Sequence, residues 1–192
     1  MKTFTQKNKK IKVLYIYGYN TVPGESKAVK FYKKHVPSEV DFHCIEYPQA
    51  DAQKSLQVLR QYIADNNIDL VIGSSLGAFL TLLMYDMPRI VTNPCMEPSK
   101  VLPEIGAPDA MVKSYAEAEK GLGKDKITTN VLGMFGDADE LLGDRFIKKF
   151  EEMYTEPQTI HCGHSIPEDV VKTISSKLVE FYNNLNENER RN

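Results

Sequence analysis

Short apolar runs alternate along this chain with stretches in which apolar residues recur every three or four positions, and this alternation narrows the choice of fold more than any other feature. Residues 11–17, 40–47, 68–72, 89–92, 130–135 and 158–161 read as strands. Between the first two, Ala28, Val29, Phe31, Tyr32 and Val36 fall at near-helical spacing before Pro37 ends the run. Asp51 is placed to cap a helix reaching about Asn66, along which Leu56, Leu59, Tyr62 and Ile63 share one face. Further helices are expected over residues 76–85 and 142–154. A last one is opened by a Ser165–Glu168 capping box and runs to about Leu185. Strands separated by helices need right-handed crossovers, so the expectation is an α/β fold: a mostly parallel sheet of about six strands, with helices on both faces.

With 192 residues, 42% hydrophobic and 26% charged, the chain suits one domain over residues 1–192 and excludes a disordered polymer. Residues 96–127 break the alternation. They hold Pro98, Pro103 and Pro108, a helical stretch near 110–119, and Gly121-Leu122-Gly123. Such an excursion reads either as a small lid over the strand ends or as a surface insertion. Residues 183–192 are polar and expected to fray.

Charge and cysteine content remove several classes of function. Twenty-four Lys and Arg stand against 26 Asp and Glu, a net of −2, which gives no electrostatic footprint for nucleic acid. Lys2, Lys7, Lys9 and Lys10 precede no long apolar segment, so no signal peptide is expected. The longest apolar stretch, residues 78–85, is far short of a membrane span. Cys44, Cys95 and Cys162 are odd in number and lack metal-ligand spacing, which fits reduced thiols in the cytoplasm.

The chemistry concentrates at Gly73-Ser74-Ser75-Leu76-Gly77, a G-x-S-x-G that directly follows a buried strand and opens a helix. A nucleophile elbow needs this setting: a strained turn exposes the central serine, and flanking glycines let strand and helix approach. An ordinary Gly/Ser turn, or a phosphate site at the helix start, is the competing reading. A serine hydroxyl also needs a base and an orienting carboxylate. Of four histidines, His164 lies in the loop before the last helix and is preferred over His161, at the end of the last strand. For the acid, Asp139 is preferred over Asp137, because a carboxylate three residues beyond Gly136 has room to reach back to the histidine. The order Ser75, Asp139, His164 is that of α/β-hydrolases. Two oxyanion donors are then expected: the N–H of Leu76, and that of Tyr19 in the loop Tyr17-Gly18-Tyr19-Asn20. Gly18, Asn20 and Met96 are candidate substrate-binding positions.

The segments Tyr15-Ile-Tyr-Gly-Tyr-Asn20, Ser26-Lys-Ala28, Gly73-Ser-Ser-Leu-Gly77, Asn93-Pro94, Gly136-Asp-Ala-Asp139 and Gly163-His164 together resemble the YqiA/YcfP-type esterases, a compact branch of the α/β-hydrolase superfamily. The likeness runs in register from about residue 11 to 182. It implies a Ser75–His164–Asp139 triad that hydrolyses small to medium acyl esters or thioesters without metal or organic cofactor. The chain departs from the pattern at Tyr17, where relatives usually carry His, and at Ala78, where glycine is common. The first change bears on the acyl pocket and so on substrate class. A silent hydrolase scaffold that binds a ligand or protein is the rival reading. A nucleotide-binding fold is disfavoured: no G-x-G-x-x-G follows the first strand, and Gly121-Leu-Gly-Lys124 lacks the rest of a P-loop.

Overall fold

The computed structural model describes residues 9–85 and 87–191; the lysine-rich residues 1–8, read above as no signal peptide, lie outside the described residues. Among the described residues six strands form one sheet: β1 (Ile11–Ile16), β2 (Val40–His43), β3 (Leu70–Ser74), β4 (Arg89–Thr92), β5 (Val131–Gly136) and β6 (Gln158–Ile160). Their spatial order is β2-β1-β3-β4-β5-β6, and every pairing is parallel. The connecting helices are α1 (Lys27–His35), α2 (Ala52–Asn66), α3 (Leu76–Leu82), α4 (Pro98–Glu104), α5 (Asp109–Glu119), α6 (Ile147–Met153) and α7 (Glu168–Arg191). The expected α/β architecture is the one observed.

Central strands read as continuous apolar runs because helices cover both of their faces. Val13, Leu14, Tyr15 and Ile16 of β1 are all buried, as are Leu70, Val71 and Ile72 of β3. The edge strands are short and partly exposed, as unpaired edges generally are. Local capping follows the sequence at two helices. Ser26 accepts the Val29 N–H at the start of α1, and Asp51 accepts the Lys54 N–H at the start of α2. Asn67 ends α2 in the left-handed conformation (φ 51°).

Several boundaries differ from the sequence reading, each for a local reason. Residues 44–47 leave the sheet after His43, and Tyr47 turns inward so that its hydroxyl donates to the Tyr17 carbonyl. The Ser165 capping box does not form. The last helix starts at Glu168, with the Val171 N–H bonded to the Pro167 carbonyl. The Glu168 carboxylate instead meets Lys34 (2.6 Å) and His35 (2.7 Å) of α1. The same helix extends past the expected end near Leu185, to Arg191.

The 96–127 excursion contains α4, a helix the prolines concealed. Pro98 occupies a first-turn position that needs no N–H bond, and Pro103 lies one residue from the end. The excursion is tied to the start of α2. Ser114 Oγ accepts the Ala52 N–H at 2.9 Å, and the Tyr115 hydroxyl donates to the Gln49 carbonyl at 3.0 Å. At the start of β4, Arg89 is fully buried and pairs with Asp125 at 2.5 Å while donating to the Leu82 carbonyl and Asn130 Oδ1. No helix among the described residues is long and apolar enough to cross a membrane.

Candidate active site

Every parallel strand runs the same way, so the loops after their C-terminal ends gather at one edge of the sheet. Ser75 stands there, between β3 and α3, with φ 54° and ψ −121°. That backbone is strained for a non-glycine residue and needs support from its surroundings. Three hydrogen bonds supply it. The Ser75 N–H donates to the Thr92 carbonyl, and the Ser75 carbonyl accepts from the N–H groups of Phe79 and Cys95. Gly77 completes the turn, since a Cβ there would collide with the carbonyl oxygens of Ile16 and Tyr17.

His164 Nε2 lies 2.9 Å from Ser75 Oγ. Its Nδ1 lies 3.0 and 3.2 Å from the two carboxylate oxygens of Asp139. A proton on Nδ1, donated to the carboxylate, leaves Nε2 free to accept from the serine hydroxyl. The Asp139 side chain is almost wholly buried and is oriented by the N–H groups of Leu141 and Leu142, which both donate to Oδ1. Glu140 holds the neighbouring loop by accepting the His164 N–H at 2.9 Å. That bond is the chief reason its carboxyl stays below the usual range.

The two rivals form a pair of their own. His161 Nδ1 sits 2.9 Å from Asp137 Oδ2, with the His161 side chain 95% exposed. Their mutual hydrogen bond raises the histidine's pKa and lowers the carboxyl's.

Leu76 is the first residue of α3, so its N–H has no partner within the helix and faces the turn. Opposite it, a Cβ on Gly18 would stand 3.2 Å from Ser75 Cβ, a tight contact that would press the Tyr17–Asn20 loop away from the serine by a few tenths of an ångström. Sequence reasoning missed the group that braces this loop. Gln49 Oε1 accepts the Asn20 N–H at 2.8 Å, while its Nε2 donates to the Thr21 carbonyl at 2.9 Å. A glutamine in a loop carries no periodicity or motif that would have revealed it. Asn93 was noticed only as part of a motif. Its buried side chain bonds Gly136, Gly163 and His164, joining the loops that carry Asp139 and His164.

A cleft of about 780 Å3 opens at this edge. Ser75, His164, Gly18, Tyr19 and Asn20 line it, as does Ile105 from the end of α4. Leu76 lies beneath its surface, 2% exposed. Met96 is not part of it. The turn after Asn93-Pro94 carries Met96 into the core, where it is fully buried in a cluster with Ala78, Val91 and Val101. No group of three metal-ligating side chains is present among the described residues.

With the elbow and its hydrogen-bonded neighbours in view, the sequence matches the uncharacterised protein family UPF0227 over residues 12–132. The chain belongs to this family. That agrees with its resemblance to the YqiA/YcfP-type proteins. No curated protein matches it in sequence. Among solved structures it is similar to Est1E from Butyrivibrio proteoclasticus, with a TM-score of 0.71 and 17% identity, covering 92% of this chain and 90% of that one. It is also similar to a monoacylglycerol lipase from Paleococcus ferrophilus (TM-score 0.64, 13% identity, 91% and 96% covered). An esterase from Exiguobacterium antarcticum gives a TM-score of 0.60 at 13% identity, with 92% and 93% covered. At these identities the likeness concerns the fold, which is that of the α/β-hydrolases.

Proposed function

We propose that this protein is a serine hydrolase acting on small to medium acyl esters or thioesters. The observation that carries the reading is the unbroken chain from Ser75 Oγ through the His164 ring to the buried Asp139 carboxylate. In this reading Ser75 attacks the acyl carbonyl while His164 Nε2 takes its proton, and Asp139 holds the ring and stabilises the imidazolium. The N–H groups of Leu76 and Tyr19 receive the oxyanion, a contribution typically of about 2.7–4 kcal/mol per donor. His164 then protonates the leaving alcohol or thiol, and a water, deprotonated in turn by His164, frees the acyl group from Ser75. No step calls for a metal or organic cofactor. The esterases and lipase that share the fold support this class of chemistry.

A fluorophosphonate probe tests the proposal. Labelling of the folded protein that disappears in Ser75→Ala is expected, together with ester turnover that falls by a factor on the order of 10⁴ or more. A folded protein that resists the probe, or a Ser75→Ala variant that still labels, would leave a binding scaffold as the better description.

A further inference from the structure

Beside the nucleophile lies a pair of hydroxyl groups that the proposed reaction does not use. Tyr15 reaches from β1 towards β3, and its hydroxyl is 2.8 Å from Ser74 Oγ, on the residue preceding Ser75. Both residues line the cleft. The two hydroxyls carry two protons between them, and their mutual bond uses one. Whichever oxygen donates, the other keeps a proton, and among the described residues neither has a second hydrogen-bond partner. Burial pushes the Tyr15 hydroxyl up to about 12, so the phenol stays neutral and protonated across the working range. Tyr15 is 2% exposed and Ser74 is half-buried, so the pair lies on the inner wall of the cleft. Val22 and Ile105, about half and over a third exposed, stand at its open side. Apolar Ala28, Phe31 and Ile166 also line the cleft. The proton that the pair does not use internally can be donated to an oxygen of a ligand lying in the cleft.

We propose that the Tyr15–Ser74 pair is a substrate subsite that selects acyl groups bearing a hydrogen-bond acceptor, such as an ether, hydroxyl or keto oxygen, over plain aliphatic acyl groups. This rests on the ester-hydrolase reading. In this proposal the acyl chain, which stays bonded to Ser75, lies against the pair, and the leaving group towards the open side.

The test compares esters of one phenol that differ only by exchange of a methylene for oxygen. Methoxyacetate is set against butyrate and 3-methoxypropionate against pentanoate, each kcat/KM being divided by the ester's rate with hydroxide. The expected preference for the oxygen-bearing ester is about five- to ten-fold in at least one pair, the range a single hydrogen bond supports. It falls to about one in the Tyr15→Phe/Ser74→Ala double variant. Each single variant retains part of it, because either hydroxyl alone keeps a proton. A wild-type ratio near one in both pairs overturns the subsite, as does a preference that survives the double variant. Binding of the same esters to Ser75→Ala, followed by calorimetry, separates the two readings. A binding preference without turnover by the wild type supports the subsite and sinks the hydrolase. Turnover and probe labelling with no preference sinks the subsite alone.

Discussion

Asn93 Oδ1 accepts the backbone N–H of Gly136 at 2.7 Å, joining the ends of β4 and β5 across 43 positions of sequence. The same side chain donates from Nδ2 to the carbonyls of Gly163 (3.0 Å) and His164 (3.3 Å). One buried amide therefore fixes the loop that leads to Asp139 and the loop that carries His164. It does so from a left-handed backbone (φ 44°) that asparagine tolerates better than most residues.

Asn93 is thus expected to act as a positioning residue. Asn93→Ala leaves the buried Gly136 N–H without its partner, which costs about 1–3 kcal/mol of stability, and removes the donor to two partly buried carbonyls. It should lower kcat about 10- to 100-fold with little change in KM, since a misplacement of about 1 Å costs on that order. Asn93→Asp adds a negative charge beside His164. That charge favours the imidazolium, so the acidic limb of the kcat/KM profile should move to higher pH. A merely structural defect would reduce the active fraction and leave that limb in place. Steady-state kinetics against pH decides between them.

The paired carboxylates make an internal control. On the proposed function, Asp139→Asn should lower kcat about 10⁴-fold, as loss of the carboxylate does in known serine triads. Asp137→Asn should leave kcat within about two-fold, because its partner His161 points into solvent. The titration of His161 should nevertheless respond. Its pKa is raised by Asp137, so the Asn variant should return it towards the ordinary value of 6.5, observable by NMR. The sign for stability follows. The histidine's part is present below its unfolded pKa and is lost as pH rises through its raised folded value. The part of Asp137, whose pKa is lowered, is lost as pH falls through its own folded value.

Much of the fold was legible because the sequence encodes it locally. The buried runs of β1, β3 and β5, and the caps Ser26 and Asp51, declare themselves through composition and spacing alone. The candidate site was legible for a related reason: Ser75, Asp139 and His164 each follow a strand, and a parallel sheet brings such positions to one edge. What escaped depends on contacts made at long range. Glu168 looked like a capping residue but bonds α1 from 133–134 positions away. Met96 follows a strand and so resembled a cleft residue, yet the Asn93-Pro94 turn carries it into the core. Gln49 braces a loop 28–29 positions away, with nothing in its own neighbourhood to mark it.

Gln49 can be dissected by removing one bond at a time. Gln49→Glu keeps an acceptor for the Asn20 N–H but loses the donor to Thr21, whereas Gln49→Ala loses both. Because these bonds are partly exposed, global stability should change by less than about 1 kcal/mol. The proposed oxyanion donor, the Tyr19 N–H, lies directly before the braced residues. A kcat reduced several-fold is therefore expected in Gln49→Ala, with Gln49→Glu intermediate and KM nearly constant. Equal kcat values in all three proteins would remove Gln49 from the account of the oxyanion loop.

Stability and chemistry should separate at the two ends of β4. Arg89, fully buried, holds Asp125 at 2.5 Å, while Asn93 lies just past the opposite end of the strand. The four-residue rise puts them about 13 Å apart. Breaking a buried pair by removing one partner costs about 3–5 kcal/mol, because the remaining charge stays in a low-dielectric interior. Arg89→Ala also removes donors to the Leu82 carbonyl and to Asn130, so it should be the more severe change, and Asp125→Ala the milder. Urea unfolding should show the midpoint falling in that order. The folded fraction of each, counted by fluorophosphonate labelling, should retain wild-type kcat per labelled site. A kcat that fell in step with stability would mean that β4 transmits strain from the ion pair to Asn93, and the strand could no longer be treated as a rigid spacer between them.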